Sequence, residues 1–98
     1  MASFKLTGKA KLDLLNIGRY TTKQWGRAQR NRYLSMLDRR FHELAKQPNI
    51  GQPCEFVRKG YRKYTEGKHI IFFRRTNDDN IEIVRVLHQN MDYETHLP

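Results

Sequence analysis

Hydrophobic and polar positions follow two rhythms along this chain, and the switch between them outlines a fold. In "ASFKLT", Phe4 and Leu6 alternate with polar neighbours, the period-two signature of a short strand. Thr7 then fits an N-cap, because its hydroxyl can accept an orphan backbone N–H of a following helix. From Lys9 onward, Ala10, Leu14, Ile17 and Thr21 recur at spacings of four, three and four, which places them on one helical stripe. Gly26, after Trp25, predicts the stop, since glycine readily takes the left-handed conformation that closes a helix. A second helix is predicted from about Arg27 to Lys46. Tyr33, Leu37, Phe41, Leu44 and Ala45 form its apolar stripe, while Arg27, Arg30, Arg32, Arg39 and Arg40 mostly occupy the other face. With only a glycine turn between them, the helices should form an antiparallel hairpin. Pro48, Gly51 and Pro53 end it in a loop.

The remainder returns to β character. "YRKYT" (61–65), "HIIFFRR" (69–75) and "IEIVRVLH" (81–88) are rich in β-branched and aromatic residues, with turn chemistry in "EGK" and "TNDDN" between them. The predicted class is α+β, in the order β-α-α-β-β-β, with the helical hairpin on one face of a small, mostly antiparallel sheet. In the third strand Ile70 and Phe72 alternate with His69, Ile71 and Phe73; in the fourth, Val84 and Val86 alternate with Ile83, Arg85 and Leu87. Both faces are therefore partly apolar, and two helices cover one. The other is expected to expose apolar area interleaved with Arg74 or Arg75 and Arg85, a surface suited to a partner, unless loop 47–60 folds over it.

Length and charge sharpen this picture. Ninety-eight residues predict one domain, 1–98, burying only roughly 60–65% of its unfolded surface. Nineteen Lys and Arg oppose ten Asp and Glu, for a net charge of +9, so the chain favours polyanions or an acidic protein. The lone Cys54 cannot form an intramolecular disulfide, no apolar run reaches the roughly 18 residues of a membrane span, and no signal-peptide core is present. These features predict a cytoplasmic protein that does not enter a membrane.

Candidate chemistry is sparse. Zinc sites generally show ligand pairs two to five residues apart, and the four histidines with Cys54 offer none. Neither a metal nor another cofactor is expected. Nucleotide-binding and nucleophile-elbow motifs do not occur, which removes the support for those reactions. Metal-independent RNA cleavage needs a base, cations on the scissile phosphate and an acid. Arg58, Lys59, Arg62, Lys63, Arg74, Arg75 and Arg85 supply cations, and His88 or Tyr93 an acid or base. Plain nucleic-acid binding would use the same cations with Tyr61 and Tyr64 for stacking.

Taken in order, "AKLDLLNIGRY" (10–20), "QWG" (24–26), "YLSMLDRRFHELAKQPNIG" (33–51), "GKHIIFFR" (67–74) and "IEIVRVLHQNMD" (81–92) resemble the ParE toxins of the RelE/ParE toxin–antitoxin superfamily across nearly the whole chain. The resemblance implies the fold reached above from periodicity and a cytoplasmic bacterial toxin that inhibits DNA gyrase by binding it, with no catalytic residue. It also implies a ParD-type acidic antitoxin, part of a DNA-binding dimer, through which the toxin would meet operator DNA indirectly. Such an antitoxin would lay a helix across the hairpin and extended chain against the sheet. On that basis Leu15, Arg30, Leu34, Arg39 and Arg75 are antitoxin-facing candidates. Arg58, Arg62, Arg74, Arg85, His88, Met91 and Asp92 are gyrase-facing candidates. The rival is the related RelE branch, a ribosome-dependent mRNA endoribonuclease.

The tail after the last strand carries a specific expectation. Residues 88–97 should leave the sheet as an exposed segment, with Met91 giving adaptable apolar contact and His88 and Asp92 polar specificity. The alternative is that Met91 and Leu97 fold back and seal the sheet edge.

Overall fold

The computed structural model describes residues 3–97, with only the backbone described for Tyr93 and Glu94. In chain order the elements are β1 (Phe4–Leu6), α1 (Gly8–Trp25), α2 (Arg27–Lys46), a 3₁₀ turn (Pro48–Ile50), β2 (Gln52–Pro53), β3 (Tyr61–Glu66), β4 (His69–Arg75), β5 (Ile81–His88) and α3 (Tyr93–His96). The predicted order is present, with the short β2 and α3 added. The five strands form one mixed sheet, β1-β5-β4-β3-β2, in which β1 runs parallel to β5 and the other neighbours are antiparallel.

Thr7 couples the first strand to the first helix. Its hydroxyl accepts from Ala10 N at 3.0 Å as the N-cap and donates to Val84 O at 2.7 Å, while its N–H donates to Ile83 O at 3.1 Å. A cap of this kind is worth about 1 kcal/mol. Gly26 closes α1 and opens α2 in one residue. Its φ of 92° lies in the region that favours glycine. The stripes read from periodicity point inward, since Ala10, Ile17, Leu37, Phe41, Leu44 and Ala45 pack with Ile71, Phe73, Ile81, Ile83 and Val86 in the main core.

Arg40 departs from its expected place on the outer face of α2. Its guanidinium lies 4.5 Å from the Tyr64 ring centroid, and its Nε donates to Glu66 Oε1 at 2.7 Å. The long side chain reaches around the helix to a carboxylate at the end of β3, where charge pairing and ring contact both favour it.

The expectation of an open apolar sheet face is corrected. Ile70, Phe72 and Leu87 on that face form a second core with Cys54, Val57 and Leu97, and Tyr61 packs against it. The chain between β2 and β3 folds over the sheet, so the apolar area is buried within the molecule. The predicted alternation in β5 is also altered. Phe72 pairs with Arg85 but Phe73 pairs with Ile83, leaving Val84 as an extra, bulged residue. Ile83 therefore faces the helices with Ile81, and Val86 does so too after the parity shift. The bulge sends Leu87 to the second core.

Candidate functional site

Two regions gather the charged and polar side chains. On the outer side of the hairpin, α1 and α2 enclose a shallow groove of about 650 Å³ floored by Leu14, Leu15 and Leu34 and rimmed by Arg19, Lys23 and Arg30. Close approach of the helices makes this floor. A Cβ at Gly18 would sit in ordinary contact, 3.5 Å from Leu34 Cδ1 and 3.7 Å from Arg30 Cδ, so these α2 side chains lie directly over α1 there. Leu15 is 51% exposed although apolar. An adjoining hollow continues along α2 past Ser35, Asp38 and Arg39 to His42, sharing Asn31 and Leu34 with the first. Four antitoxin-facing candidates, Leu15, Arg30, Leu34 and Arg39, therefore lie on one continuous surface. Arg75 does not line it; it is exposed at the end of β4.

The second region is the far half of β5 with the tail. β1 is paired only with Ile81, Glu82 and Ile83, and α1 takes over the edge beyond them. There Asp13 accepts from Arg85 Nε and Nη2, each at 2.8 Å, and from the Val86 N–H at 3.0 Å. This two-pronged pair is well shielded, with side-chain exposures of 14% and 11%. The Asp13 carboxylate raises the Arg85 pKa further above its ordinary value, chiefly by accepting these hydrogen bonds. The remaining arm, Arg85 Nη1, donates to His96 O at 2.7 Å. Arg58 Nη2 similarly donates to Leu97 O at 3.2 Å. Two arginines thus hold successive carbonyls of the tail while the Leu97 side chain, 4% exposed, enters the second core.

The tail is therefore only partly the exposed segment expected of it. Leu97 folds back, and Arg85 is a tie rather than an exposed cation. Met91 remains 38% exposed, and the exposed Asp92 accepts from Thr95 Oγ1 at 2.6 Å at the start of α3. Arg62 Nη1 donates to Gly51 O at 2.7 Å, bracing the 3₁₀ turn, and Arg74 pairs with Glu82 at 3.0 Å. The gyrase-facing candidates do not converge on one spot.

His88 belongs to a cluster under the end of the sheet. Its ring centroid is 5.5 Å from that of His69, which in turn meets Tyr33 on α2. Lys68 N donates to Tyr33 Oη at 3.1 Å, and the same oxygen is hydrogen-bonded to His69 Nδ1 at 2.5 Å and lies 3.5 Å from the Glu66 carbonyl oxygen. Asn90 N likewise donates to His88 Nδ1 at 3.2 Å. Burial, reinforced by His88, lowers the His69 pKa from 6.5 to about 4, while burial raises that of Tyr33. No described guanidinium contacts His88. The side chain of Tyr93, the other acid–base candidate, lies outside the described residues.

Sequence reasoning missed Asp13, Tyr33 and His69 as site-building groups. Asp13 left a signal: it is the only carboxylate in α1, among four cations. The Tyr33–His69 contact left none, because it joins residues 36 apart in the chain.

A family model described as "ParE toxin of type II toxin-antitoxin system, parDE" matches residues 4–93. The chain is 38% identical over 97 residues to "Toxin ParE1" of Caulobacter vibrioides, covering 99% of both chains. Among solved structures it is similar to one titled "Chromosomal ParDE TA system from P. aeruginosa", with TM-score 0.77 and 23% identity over 90% of this chain and 96% of that one. It is also similar to a toxin–antitoxin complex, RelBE2, from Mycobacterium tuberculosis, with TM-score 0.68 and 19% identity over 89% and 96% of the two chains. These two structural likenesses bear on the fold.

Proposed function

Because the chain belongs to the ParE toxin family of type II toxin–antitoxin systems, we propose that it inhibits DNA gyrase by binding, without bond-making chemistry, and is neutralised by a ParD-type acidic antitoxin. The observation that carries the non-catalytic reading is the commitment of Arg85. A cation that stabilises a reacting phosphate must be free to meet it, and this one already holds Asp13 and the His96 carbonyl. His88 adds to the argument, since it faces a neutral imidazole rather than a cluster of cations.

The outer groove supports the antitoxin reading. Its apolar floor between cationic rims suits an amphipathic helix that seats one or two aliphatic side chains near Leu15 and Leu34 and directs carboxylates to Arg30 and Arg39. Arg75 would meet the extended part of the same chain. Opposite charge accelerates such an encounter, and added salt slows it. Contact with operator DNA would then come through the antitoxin. Toward gyrase, the exposed stretch around Met91 and Asp92 offers a soft apolar contact beside a carboxylate.

The test uses purified toxin on gyrase supercoiling and on ribosome-bound mRNA. Arrest of supercoiling without mRNA cleavage is the expected result. Robust cleavage that disappears in Tyr93→Phe would replace this reading with the RelE-type endoribonuclease. Point substitutions suit the tail better than truncation, because Leu97 is part of the second core. Met91→Asp should keep the fold and weaken gyrase arrest at least tenfold; unchanged arrest removes the tail from the contact.

A further inference from the structure

We propose that the tip of the helical hairpin, residues 19–32, is a docking surface for the phosphate backbone of duplex DNA, reached directly by the toxin. This stretch holds five cations, Arg19, Lys23, Arg27, Arg30 and Arg32, and no carboxylate. Elsewhere in the molecule carboxylates engage arginines: Asp13 holds Arg85, Glu66 and Glu43 hold Arg40, and Glu82 holds Arg74. At the tip, Arg19, Lys23 and Arg27 are exposed and make no ion pair among the described residues. Arg30 and Arg32 meet only neutral amides. Arg30 Nε donates to Asn31 Oδ1 at 3.1 Å, and Arg32 donates from Nε and Nη2 to Gln29 Oε1 at 3.2 and 3.0 Å. Such contacts restrain a guanidinium without neutralising it and leave its other N–H groups available.

The surroundings favour a polyanion of regular charge. Between the cations stand Gln24, Gln29 and Asn31, whose side-chain amide N–H groups can donate to phosphate and sugar oxygens. Trp25 is 71% exposed at the end of α1. Its ring can lie against deoxyribose while its N–H reaches a phosphate. A lipid surface would call for a continuous apolar face of several residues, and an acidic peptide helix finds its apolar seat in the groove rather than on the tip.

Arg19, Lys23 and Arg30 also rim the groove, so DNA at the tip and an antitoxin in the groove would compete for them. The surface otherwise stands apart from the gyrase reading, since it needs only the toxin and DNA.

The experiment titrates the free toxin with a 20-base-pair duplex of arbitrary sequence at several salt concentrations, following probe anisotropy and the fluorescence of Trp25, the chain's single tryptophan. Expected are a change in tryptophan emission on binding and a plot of log K against log salt with slope near −4.5 if all five cations meet phosphates. Arg27→Gln with Arg32→Gln should reduce the slope by about two. Removing equal charge at Lys5 and Lys46, away from the tip, should leave both the slope and the tryptophan response unchanged. Circular dichroism of each variant checks that it is folded. The proposal is overturned by absence of binding at low salt, by a slope that falls equally with the distant pair, or by a tryptophan response to polyglutamate or anionic vesicles but not to the duplex. A normal DNA titration with no gyrase arrest would leave this surface standing while removing the gyrase reading.

Discussion

Arg85 and Arg30 both lie against α1, yet their environments differ sharply. Arg85 meets Asp13 in the first half of the helix, gains two charge-assisted hydrogen bonds and holds the tail with its remaining arm. Arg30 lies over Gly18 in the second half, with only the Asn31 amide for company. The single carboxylate of α1 faces the sheet, so the helix is electrostatically satisfied on that side and uncompensated on the other. Identical side chains therefore act as internal fastening in one place and as free charge in the other.

The largest effect that tests this contrast is on stability. Arg85→Ala strips a shielded pair of one partner and should lower the unfolding free energy by about 3–5 kcal/mol in urea titrations. Arg30→Ala should change it by less than about 0.5 kcal/mol. Equal losses would erase the distinction between fastening and free charge.

Next comes pH. His69 has a folded pKa near 4 against an ordinary 6.5, so between those values the unfolded chain binds the extra proton. Its contribution is complete above pH 6.5 and is lost as pH falls toward 4. After a discount for partial solvent access, the loss is about 2 kcal/mol. The difference between wild-type and His69→Gln profiles of unfolding free energy isolates it from the carboxylates, and parallel profiles would count against the buried neutral imidazole.

A smaller stability effect with a large binding effect belongs to the groove. Leu15→Asp changes an exposed position, so stability should move within about 0.5 kcal/mol while antitoxin affinity falls at least tenfold. Calorimetric titration measures it, and unchanged affinity would move the antitoxin elsewhere. Arg39→Gln should show the smallest change, mainly a slower association rate with weaker salt dependence.

The parts of the fold legible in the sequence were those set by local periodicity. Ala10, Ile17 and Thr21 repeat along one helical face, and the β4 alternation separates Ile70 and Phe72 from Ile71 and Phe73 as the structure does. Bulging at Val84 was not legible, because pairing two residues against one is decided by the partner strand. The burial of the second sheet face is the alternative that loop 47–60 left open, and periodicity does not decide it. Val57 and Cys54 sit in a loop without periodicity, and only the three-dimensional path of that loop brings them over Phe72. Among the candidates, Leu15, Arg30 and Leu34 came together because all lie on two adjacent helices whose faces repeat predictably. Arg58, Arg62, Arg74 and Arg85 are candidates through the family resemblance, which does not specify their local partners, and each takes a different partner across the fold.

The parallel pairing of β1 with β5 has a consequence in time. β1 has a single neighbour in the sheet, and Phe4 must wait for Ile81, 77 positions later, to acquire it. At roughly 5–20 residues per second of synthesis, that wait lasts about 4–15 seconds. The helices can form and meet in the interval, but the nascent chain cannot close its sheet until its last strand has left the ribosome. A half-made copy therefore has no finished body with which to do harm.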